Sequence, residues 1–318
     1  MVNLPLVTIG LPVYNGEQWI NQAIDSLIDQ DYENIEIVIA DDQSTDNTAK
    51  ICKKYSKIYD NVIFNINKEN LGGQGNLFHI LEKCSSEYFV WGSQDDFWKN
   101  NYVSSLVKKL EKDKDMVLAS GNIEMINMDG SSYIINFAGK WDPEKLNQYQ
   151  LITSLLLPVD YGKWIKNNLF LHGVIRTSSL KKCFEVFPGV AGHDRSFILF
   201  LILQGGWGYV DEVLYHRRTG VGELIRKAAP NDKINKLGQN KLLPFISAKQ
   251  MLVGLSGMLS INFSIKLYCF VIIVAYVISL YLVQMKRVLF GVNFLKRMLP
   301  IKWYNFIREI KNNQIKHG

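Results

Sequence analysis

The chain has 318 residues, of which 47% are hydrophobic and 21% are charged. This length suits one large or two modest domains, and the apolar content is ample for a core, which excludes a disordered chain. Four cysteines, Cys52, Cys84, Cys183 and Cys269, are widely spaced without a CxxC pair. A disulfide framework and a zinc site are therefore not indicated. The first residues lack the basic start and long apolar core of a signal peptide, so we expect the N-terminal part to remain in a reducing cytosol.

Charge is distributed unevenly along the chain. Residues 1–220 contain 21 Lys and Arg against 27 Asp and Glu, a net charge of −6, whereas residues 221–318 contain 15 against 3, a net charge of +12. A basic, apolar tail attached to an acidic domain predicts an anionic membrane surface as a partner. Nucleic acid is not expected as a partner, because the first domain lacks basic residues interleaved with aromatics.

Predicted strands and helices alternate along the first ninety residues. The first strand should end at Pro12, since proline does not continue a central strand. Amphipathic or capped helices follow the first three strands, and Asp46 is placed to cap the second helix. Such alternation predicts a doubly wound, mostly parallel α/β sheet flanked by helices. The predicted strands are Leu6–Leu11, Ile35–Ala40, Val62–Ile66 and Glu87–Trp91, and the predicted helices are Glu17–Gln30, about 47–56, and Leu77–Lys83.

Two of these strands end at paired acids. The second strand is followed by Asp41 and Asp42, and the fourth by Asp95 and Asp96 in the stretch VWGSQDDFW. In open α/β sheets, ligands bind at the carboxyl ends of the strands. Adjacent carboxylates repel each other, so each pair either stays solvated in a turn or binds a hard divalent ion with its phosphates. A glycine-rich turn at 70–76 opens the third helix, where backbone N–H groups can approach an anion.

The second half of the domain gives weaker patterns. We predict a helix over Tyr102–Lys112 and strands over Met116–Gly121, Ile123–Met128, Leu169–Arg176 and Trp207–Tyr215, with a hairpin-like turn at 128–131. A strongly apolar helix, Ser196–Leu203, follows His193 and Asp194. Asp194 suits a helix N-cap and also a general base, and both interpretations remain open.

Four segments together resemble the motifs of family 2 glycosyltransferases in order and spacing. They are VTIGLPVYN (7–15), IEIVIADDQSTDNT (35–48), the turn at 70–76, and SQDDFW (93–98). The resemblance covers about residues 5–218 and is most similar to a rhamnosyltransferase-type branch. It implies a GT-A fold for residues 1–220 and a nucleotide-diphosphate sugar, UDP- or dTDP-linked, as donor.

The resemblance also implies roles for individual residues. Asp42 would accept a hydrogen bond from the base, because carboxylates accept well from a pyrimidine N–H. Asp95 and Asp96 match the metal motif and would bind Mg²⁺ or Mn²⁺ that bridges the diphosphate. Many relatives have an acid where this chain has Ser93. The implied donor-binding residues are Pro12, Tyr14, Glu17, Asp41, Asp42, Gly72, Asn76, Gln94, Asp95, Arg217 and Arg218; the two arginines either clamp the diphosphate or remain solvated.

Asp194 matches the position of the family's general base. An inverting transfer needs a carboxylate that takes the proton of the acceptor hydroxyl as its oxygen attacks. His193 would orient the acceptor or tune that acid. We expect a non-processive enzyme, since one short apolar segment cannot build a translocation channel.

The C-terminal part is interpreted as a linker, residues 221–241, and a basic, apolar, helical, membrane-associated region, residues 242–318. Residues 267–285 are nearly all apolar, and a helix of this length almost matches a hydrocarbon core of about 30 Å. Basic residues on both flanks resist crossing the membrane. A spanning helix, an interfacial or re-entrant segment, and a soluble helical oligomerisation domain therefore all remain open, the last implying a homo-oligomer.

The expected function is metal-dependent, inverting sugar transfer to a lipid-linked glycan at the cytoplasmic face of a bacterial membrane, in cell-surface polysaccharide synthesis. A nucleotidyltransferase would need a lysine-rich glycine loop, which Asn15-Gly16-Glu17 does not supply. The alternative from another class is a catalytically inactive membrane scaffold that binds a nucleotide-sugar or a glycan, and Ser93 favours it.

Overall fold

The computed structural model describes residues 4–136, 144, 146–156, 172–186 and 194–221, together with 265–266, 269–270 and 273. Seven helices lie in these ranges: α1 (Ile20–Ile28), α2 (Thr48–Ile58), α3 (Gly72–Lys83), α4 (Tyr102–Lys112), α5 (Gln148–Leu156), α6 (Thr177–Val186) and α7 (Asp194–Gln204). The nine strands in the same ranges are β1 (Val7–Val13), β2 (Ile35–Asp41), β3 (Val62–Ile66), β4 (Tyr88–Trp91), β5 (Phe97–Trp98), β6 (Met116–Ile126), β7 (Ser132–Ile135), β8 (Val174–Arg176) and β9 (Gly206–Arg218).

The strands form one mixed sheet in the order β3-β2-β1-β4-β8-β6-β9-β5, with β7 added beside β6. β1 to β4 are parallel, as predicted. The prediction of a mostly parallel sheet is wrong for the second half, where β4–β8, β6–β8, β6–β7 and β5–β9 pair antiparallel and β6–β9 pairs parallel. For β6 and β7 the reason is connectivity: a tight turn with Gly130 at φ 84° joins the two strands, and such a turn permits only antiparallel pairing.

Pro12 does not end β1, contrary to the prediction. The strand continues to Val13, and Pro12 pairs with Ala40 of β2. Gly10, two residues earlier and therefore on the same side of the strand, accepts a hydrogen bond from the Gly92 N–H. Pairing of β1 with β4 stops at Gly10, so at Pro12 this side of β1 has no neighbouring strand. Because no strand there needs a donor, the missing N–H of Pro12 costs no hydrogen bond and the strand can continue.

Two predicted strands merge into β6, which is continuous from Met116 to Ile126. Its register against β9 shifts at Gly121 and Asn122, where the sequence had predicted a break. A Cβ at Gly121 would lie 2.8 Å from Leu214 Cδ1 and 2.9 Å from Glu212 O, so the irregular pairing requires glycine there.

The helices cover the sheet with their apolar faces. α1 buries Ile20, Ala23, Ile24 and Leu27, the predicted amphipathic stripe. The predicted apolar helix after Asp194 is confirmed as α7, whose residues 197–203 are all buried, as expected of a helix that is apolar on every side.

The C-terminal predictions fall mostly outside the described residues. From residues 222–318 the structure describes 265–266, 269–270 and 273, where Cys269 and Ile273 are buried and Phe270 is half exposed. The linker 221–241 is described only at Val221, and the segment 267–285 only at three positions. Among the residues described, no helix has both the length and the apolar character needed to cross a membrane.

Candidate active site

Three loops meet at the carboxyl ends of β2, β1 and β4, which are neighbouring parallel strands. They are residues 14–17, 42–48 and 92–96. The Asp42 N–H donates to Val13 O at 2.9 Å, and the Gly92 N–H donates to Gly10 O at 2.9 Å, so each loop starts beside the adjoining strand. This edge, called the strand-end rim below, contains both acid pairs, as the sequence predicted.

Hydrogen bonds join the first two loops. The Asn15 N–H donates to Ser44 Oγ at 3.0 Å, and the Gly16 N–H donates to Thr48 Oγ1 at 2.8 Å. In return, Oε2 of the exposed Glu17 accepts from the Asn47 N–H at 2.9 Å. Glu17 therefore helps to hold the first two loops together. Sequence reasoning missed the roles of Ser44 and Thr48, although Ser and Thr after an acid are a known signal for loop hydrogen bonding.

Gln94 fixes the third loop to the first. Its Oε1 accepts from the Tyr14 N–H at 2.8 Å, and its Nε2 donates to Tyr14 O at 2.9 Å. A Cβ at Gly16 would lie 2.5 Å from Gln94 Oε1, so this contact needs glycine. The buried Gln94 amide is thus used inside the protein, whereas the side chains of Pro12 and Tyr14 are half-buried at the rim.

Asp42 anchors the N-terminus of α3. Its Oδ1 accepts from the Leu71 N–H at 2.8 Å and from Asn67 Nδ2 at 2.9 Å, and its Oδ2 accepts from the Gly72 N–H at 2.7 Å. Gly72 has φ 74°, which suits glycine. A carboxylate is favoured at a helix N-terminus because of the exposed N–H groups and the helix dipole. The predicted contact of Asp42 with a base stays a prediction.

Asn76 and Asp41 lie beside this anchor with different roles. Asn76 is buried and connects α3 to β2, since its Nδ2 donates to Ala40 O at 2.7 Å and its Oδ1 accepts from Asn67 at 2.8 Å. Asp41 Oδ2 accepts from the Ser44 N–H at 3.0 Å. Asp41 Oδ1 is buried and has no hydrogen-bond partner within the described part of the chain. Such an atom is costly unless a donor reaches it, so Asp41 is the acid of this pair with acceptor capacity left.

The second acid pair is also asymmetric. Asp95 is half-buried, and its Oδ1 accepts from Ser93 Oγ at 2.5 Å. Asp96 is 2% exposed, and both its oxygens have donors from β9: the Tyr215 hydroxyl on Oδ2 and the Arg218 N–H, at 2.8 Å, on Oδ1. Asp95 therefore faces outward from the rim and Asp96 inward.

The two arginines at the end of β9 also differ, in whether their side chains have hydrogen-bond partners. Arg218 donates to Asp95 O at 2.5 Å and to Gln22 Oε1, and its guanidinium lies 5.1 Å from the centre of the Phe97 ring. It therefore connects the acid loop to α1. The Arg217 guanidinium makes no hydrogen bond to any residue that the structure describes, yet its positive charge lowers the pKa of Asp96. Arg217 is thus the arginine that remains available to an anion.

Burial dominates the electrostatics around Asp96. Burial and the neighbouring Asp95 raise the pKa of Asp96 to about 7, against the opposing effects of the Tyr215 hydrogen bond and of Arg217. Burial and the Asp96 carboxylate raise the pKa of Tyr215 well above its ordinary value. Burial, assisted by Arg217, lowers the pKa of His172 to about 3, so His172 is neutral at physiological pH. Tyr215 is therefore a hydrogen-bond donor to Asp96.

Asp194 begins α7, as predicted, but its side chain and the whole of His193 lie outside the described residues. The helix itself can be placed. Phe197, in its first turn, has its ring centre 6.5 Å from that of Trp91, the last residue of β4. The N-terminal turn of α7 therefore lies near the strand that leads into Asp95 and Asp96. The role of Asp194 as general base stays a prediction.

The donor set at the rim fits a cation that a ligand shares with the protein. In the ranges described, no group of three or more His, Cys, Asp or Glu side chains comes together as a metal site. Asp95 Oδ2 has no donor among the described residues, and magnesium commonly binds through one or two carboxylates plus substrate phosphates. Asp95, with Asp96 behind it, fits this arrangement.

Comparison with known proteins agrees with the fold and the motifs. The family model "Glycosyl transferase family 2" matches residues 8–167. The chain is 33% identical over 175 residues to glycosyltransferase GlyA of Streptococcus pneumoniae serotype 4, which covers 52% of this chain and 25% of that protein. It is 32% identical over 247 residues to an uncharacterised glycosyltransferase of Rickettsia bellii, which covers 73% of this chain and 33% of that protein.

Among solved structures, residues 1–349 of S. aureus TarS in complex with UDP-GlcNAc superpose with a TM-score of 0.63 at 17% identity, covering 96% of this chain and 80% of that chain. This likeness concerns the fold. The chain spans a quarter to a third of the length of the two curated relatives named above. The matched family model, the ordered motifs and the mixed α/β sheet with acids at its strand ends establish that the chain belongs to glycosyltransferase family 2 and has a GT-A fold.

Proposed function

We propose that the strand-end rim binds a nucleotide-diphosphate sugar, UDP- or dTDP-linked. The observation that carries the proposal is that the rim holds three polar groups without a hydrogen-bond partner among the described residues: Asp41 Oδ1 at the end of β2, Asp95 Oδ2 after β4, and the Arg217 guanidinium, whose charge acts on Asp96. A base N–H, a cation and a diphosphate are the complementary partners of these groups. The binding of UDP-GlcNAc by the structurally similar TarS fragment supports a uridine-type donor.

The base and ribose would lie against Pro12 and Tyr14, over the loop that Glu17 and Gln94 hold in place. Asp41 and Asp42 are both adjacent to the base site. Asp42 already accepts three hydrogen bonds, so the acceptor still open is Asp41. Asp41 is 1% exposed, so a base would reach its Oδ1 only if the surrounding loops moved.

The diphosphate would lie between Asp95 and Arg217. Asp95, with Asp96 behind it, would hold Mg²⁺ or Mn²⁺, which would supply positive charge to offset the charge that develops on the diphosphate as the sugar leaves. Arg217 adds a second positive charge close to the leaving group. Arg218 contributes indirectly, since its guanidinium donates to the main-chain oxygen of Asp95 and its N–H donates to the carboxylate of Asp96.

The transfer is proposed to be inverting. The acceptor hydroxyl oxygen attacks the anomeric carbon as the bond from that carbon to the diphosphate oxygen breaks, and the bonding electrons leave with the diphosphate. Asp194 takes the proton of the hydroxyl. A single displacement of this kind needs the base opposite the leaving group. The position of α7 beside the end of β4 supports this assignment.

The proposed acceptor is a lipid-linked glycan of a bacterial cell-surface polysaccharide, reached at the cytoplasmic face of the membrane. The support is the net charge of +12 on residues 221–318, which favours an anionic surface. A membrane-docked enzyme meets a lipid-linked substrate by diffusion in two dimensions. The same proposal includes a homo-oligomer in which the C-terminal helices of different copies pair.

A thermal-shift panel of nucleotide-sugars, each with and without MnCl₂, tests donor binding. A ligand that binds only the folded state stabilises it by about 2.7 kcal/mol at 100 times its Kd. We expect a UDP- or dTDP-sugar to raise Tm, the increase to be larger with Mn²⁺, and UMP, which lacks the diphosphate, to show no dependence on Mn²⁺. If no nucleotide-sugar raises Tm, the donor site is wrong.

Measuring the release of nucleoside diphosphate distinguishes an active glycosyltransferase from the alternative, a catalytically inactive scaffold. In the presence of membrane extract as acceptor source, the donor that raises Tm should be turned over. Binding without turnover would instead support an inactive scaffold.

A further inference from the structure

Asp96 has an unusual environment for a carboxylate next to a proposed cation site. It is 2% exposed, and a buried carboxylate requires hydrogen-bond donors. Both donors come from one strand, β9, through the Tyr215 hydroxyl and the Arg218 N–H. One donor on each oxygen defines the plane of the carboxylate and leaves its remaining lone pairs in fixed directions.

Tyr215 is held rigidly on several sides. Its backbone pairs with Trp98 of β5 and Ile123 of β6. Its ring stacks on His172 with centres 4.8 Å apart and planes 21° apart, and its hydroxyl lies 3.2 Å from His172 Nδ1. This hydroxyl donates to Asp96 Oδ2.

The acid loop is attached to the same strand at further points. The Lys99 N–H donates to Leu214 O at 3.0 Å, and Phe97 stacks on His216 with ring centres 4.5 Å apart. β5, which directly follows Asp96, is therefore fixed on β9, and Tyr215 is the side chain that extends this attachment to the carboxylate itself.

We propose that Tyr215 is a positioning residue that orients Asp96 for the divalent cation at the donor site. Tyr215 would not touch the nucleotide-sugar; it acts through Asp96. The proposal rests on the proposed function, since it assumes a cation at Asp95 and Asp96. A hydrogen-bond partner behind a metal ligand typically contributes about 10- to 100-fold to metal affinity, so its loss should be measurable.

Tyr215→Phe removes the hydroxyl and retains the ring that stacks on His172. Tyr209→Phe is the matched control, because Tyr209 is a buried tyrosine of the same strand whose hydroxyl donates to Asn122 at 2.5 Å, away from the acid loop. With UDP held constant, MnCl₂ is titrated and binding is followed by the change in Tm and by electron paramagnetic resonance of free Mn²⁺.

The half-saturating Mn²⁺ concentration should rise by about 10- to 100-fold in Tyr215→Phe and stay within about twofold of wild type in Tyr209→Phe. Equal values in both variants would overturn the role of Tyr215. If Tyr215→Phe is less stable than wild type, a double-mutant cycle with Asp96→Asn still tests the proposal. Because Tyr215 acts through Asp96, adding Tyr215→Phe to Asp96→Asn should cause no further loss of Mn²⁺ affinity. Additive losses would contradict the proposal.

Failure of the proposed function gives a different result. If wild-type protein binds UDP without any effect of Mn²⁺, the cation site itself is wrong and the role of Tyr215 falls with it. If wild type responds to Mn²⁺ and Tyr215→Phe responds identically, only the positioning role is wrong.

Discussion

At the scale of single residues, the rim separates side chains that hold the scaffold from side chains that remain open. The scaffold side chains form hydrogen bonds with neighbouring loops or with a helix N-terminus; they are Asp42, Gln94 and Arg218. Asp41 and Arg217, each adjacent in sequence to one of these, keep capacity for a ligand. The sequence shows two acids or two arginines side by side and cannot assign the two roles, because the assignment depends on which side of a strand end each side chain faces.

Asp42→Ala should lower the free energy of unfolding by about 2 kcal/mol, since it leaves the N–H groups at the start of α3 without their acceptor. Glu69→Ala, an exposed acid in the preceding turn, is the control and should change stability by less than about 0.5 kcal/mol. Urea denaturation measures both. Equal stabilities for the two variants would show that Asp42 does not anchor α3.

Asp194→Asn should reduce kcat by about 100- to 10,000-fold, because an amide cannot take the acceptor proton. The rise in Tm with nucleotide-sugar and Mn²⁺ should be unchanged, since the residue does not contact the donor phosphates in the proposed arrangement. Asp129→Asn, an exposed acid in the β6–β7 turn, is the control. Turnover at the wild-type rate would remove Asp194 as base.

At the scale of elements, the strands after residue 100 decide the shape of the site. β9 is thirteen residues long, pairs with β6 and β5, and brings Tyr215, Arg217 and Arg218 to the acid loop from the far end of the domain. β5 has only two residues, too short for a periodic pattern, and was not predicted. β8 pairs antiparallel between β4 and β6 and so connects the two halves of the sheet.

Gly173→Ala tests that connection. A Cβ at Gly173 would lie 2.2 Å from the backbone oxygen of Ala119 on β6, so the two strands would have to separate. We expect a loss of about 2–3 kcal/mol of stability, the usual range for overpacking. Gly73→Ala, in the first turn of α3 with no atom within 4 Å of the added Cβ, should be neutral or stabilising by up to about 1 kcal/mol. Comparable destabilisation of both variants in urea would contradict the packing at β8.

At the scale of the whole molecule, many ionisable groups are buried in their neutral forms. Burial raises the pKa of Cys52, Cys183 and Tyr32 to about 12 and that of Tyr102 beyond this range. In the folded protein these groups keep protons that the unfolded chain releases at lower pH. The four cysteines are free and buried.

The free energy of unfolding should therefore fall as the pH rises above about 9, the ordinary pKa of a thiol, towards 12. The slope is negative because the native state binds more protons than the unfolded state in this window, and each fully shifted group contributes up to about 1.4 kcal/mol per pH unit. Urea midpoints at pH about 7 and about 10 measure the effect. A stability that does not decrease would mean that these groups are accessible to water.

Charge distribution at the same scale predicts membrane association. The 318-residue chain should co-sediment with vesicles containing phosphatidylserine, and binding should weaken as salt shortens the range of electrostatic attraction. Vesicles of phosphatidylcholine alone are the control, because they carry the same hydrocarbon without the negative surface. Equal, salt-independent binding to both would indicate apolar insertion without a contribution from the net charge of +12.

The sequence by itself determined the four parallel strands and the acids at the ends of two of them, because side-chain periodicity and turn chemistry act over a few residues. It also indicated the family, through the resemblance of four ordered motifs to those of family 2 glycosyltransferases. Only the tertiary structure decided that Pro12 continues β1, that the second half of the sheet is mixed, and that Asp42 and Arg218 hold the rim while Asp41 and Arg217 stay open. Those outcomes depend on contacts between residues as far apart as Asp96 and Arg218, and such long-range pairing leaves no local pattern in the chain.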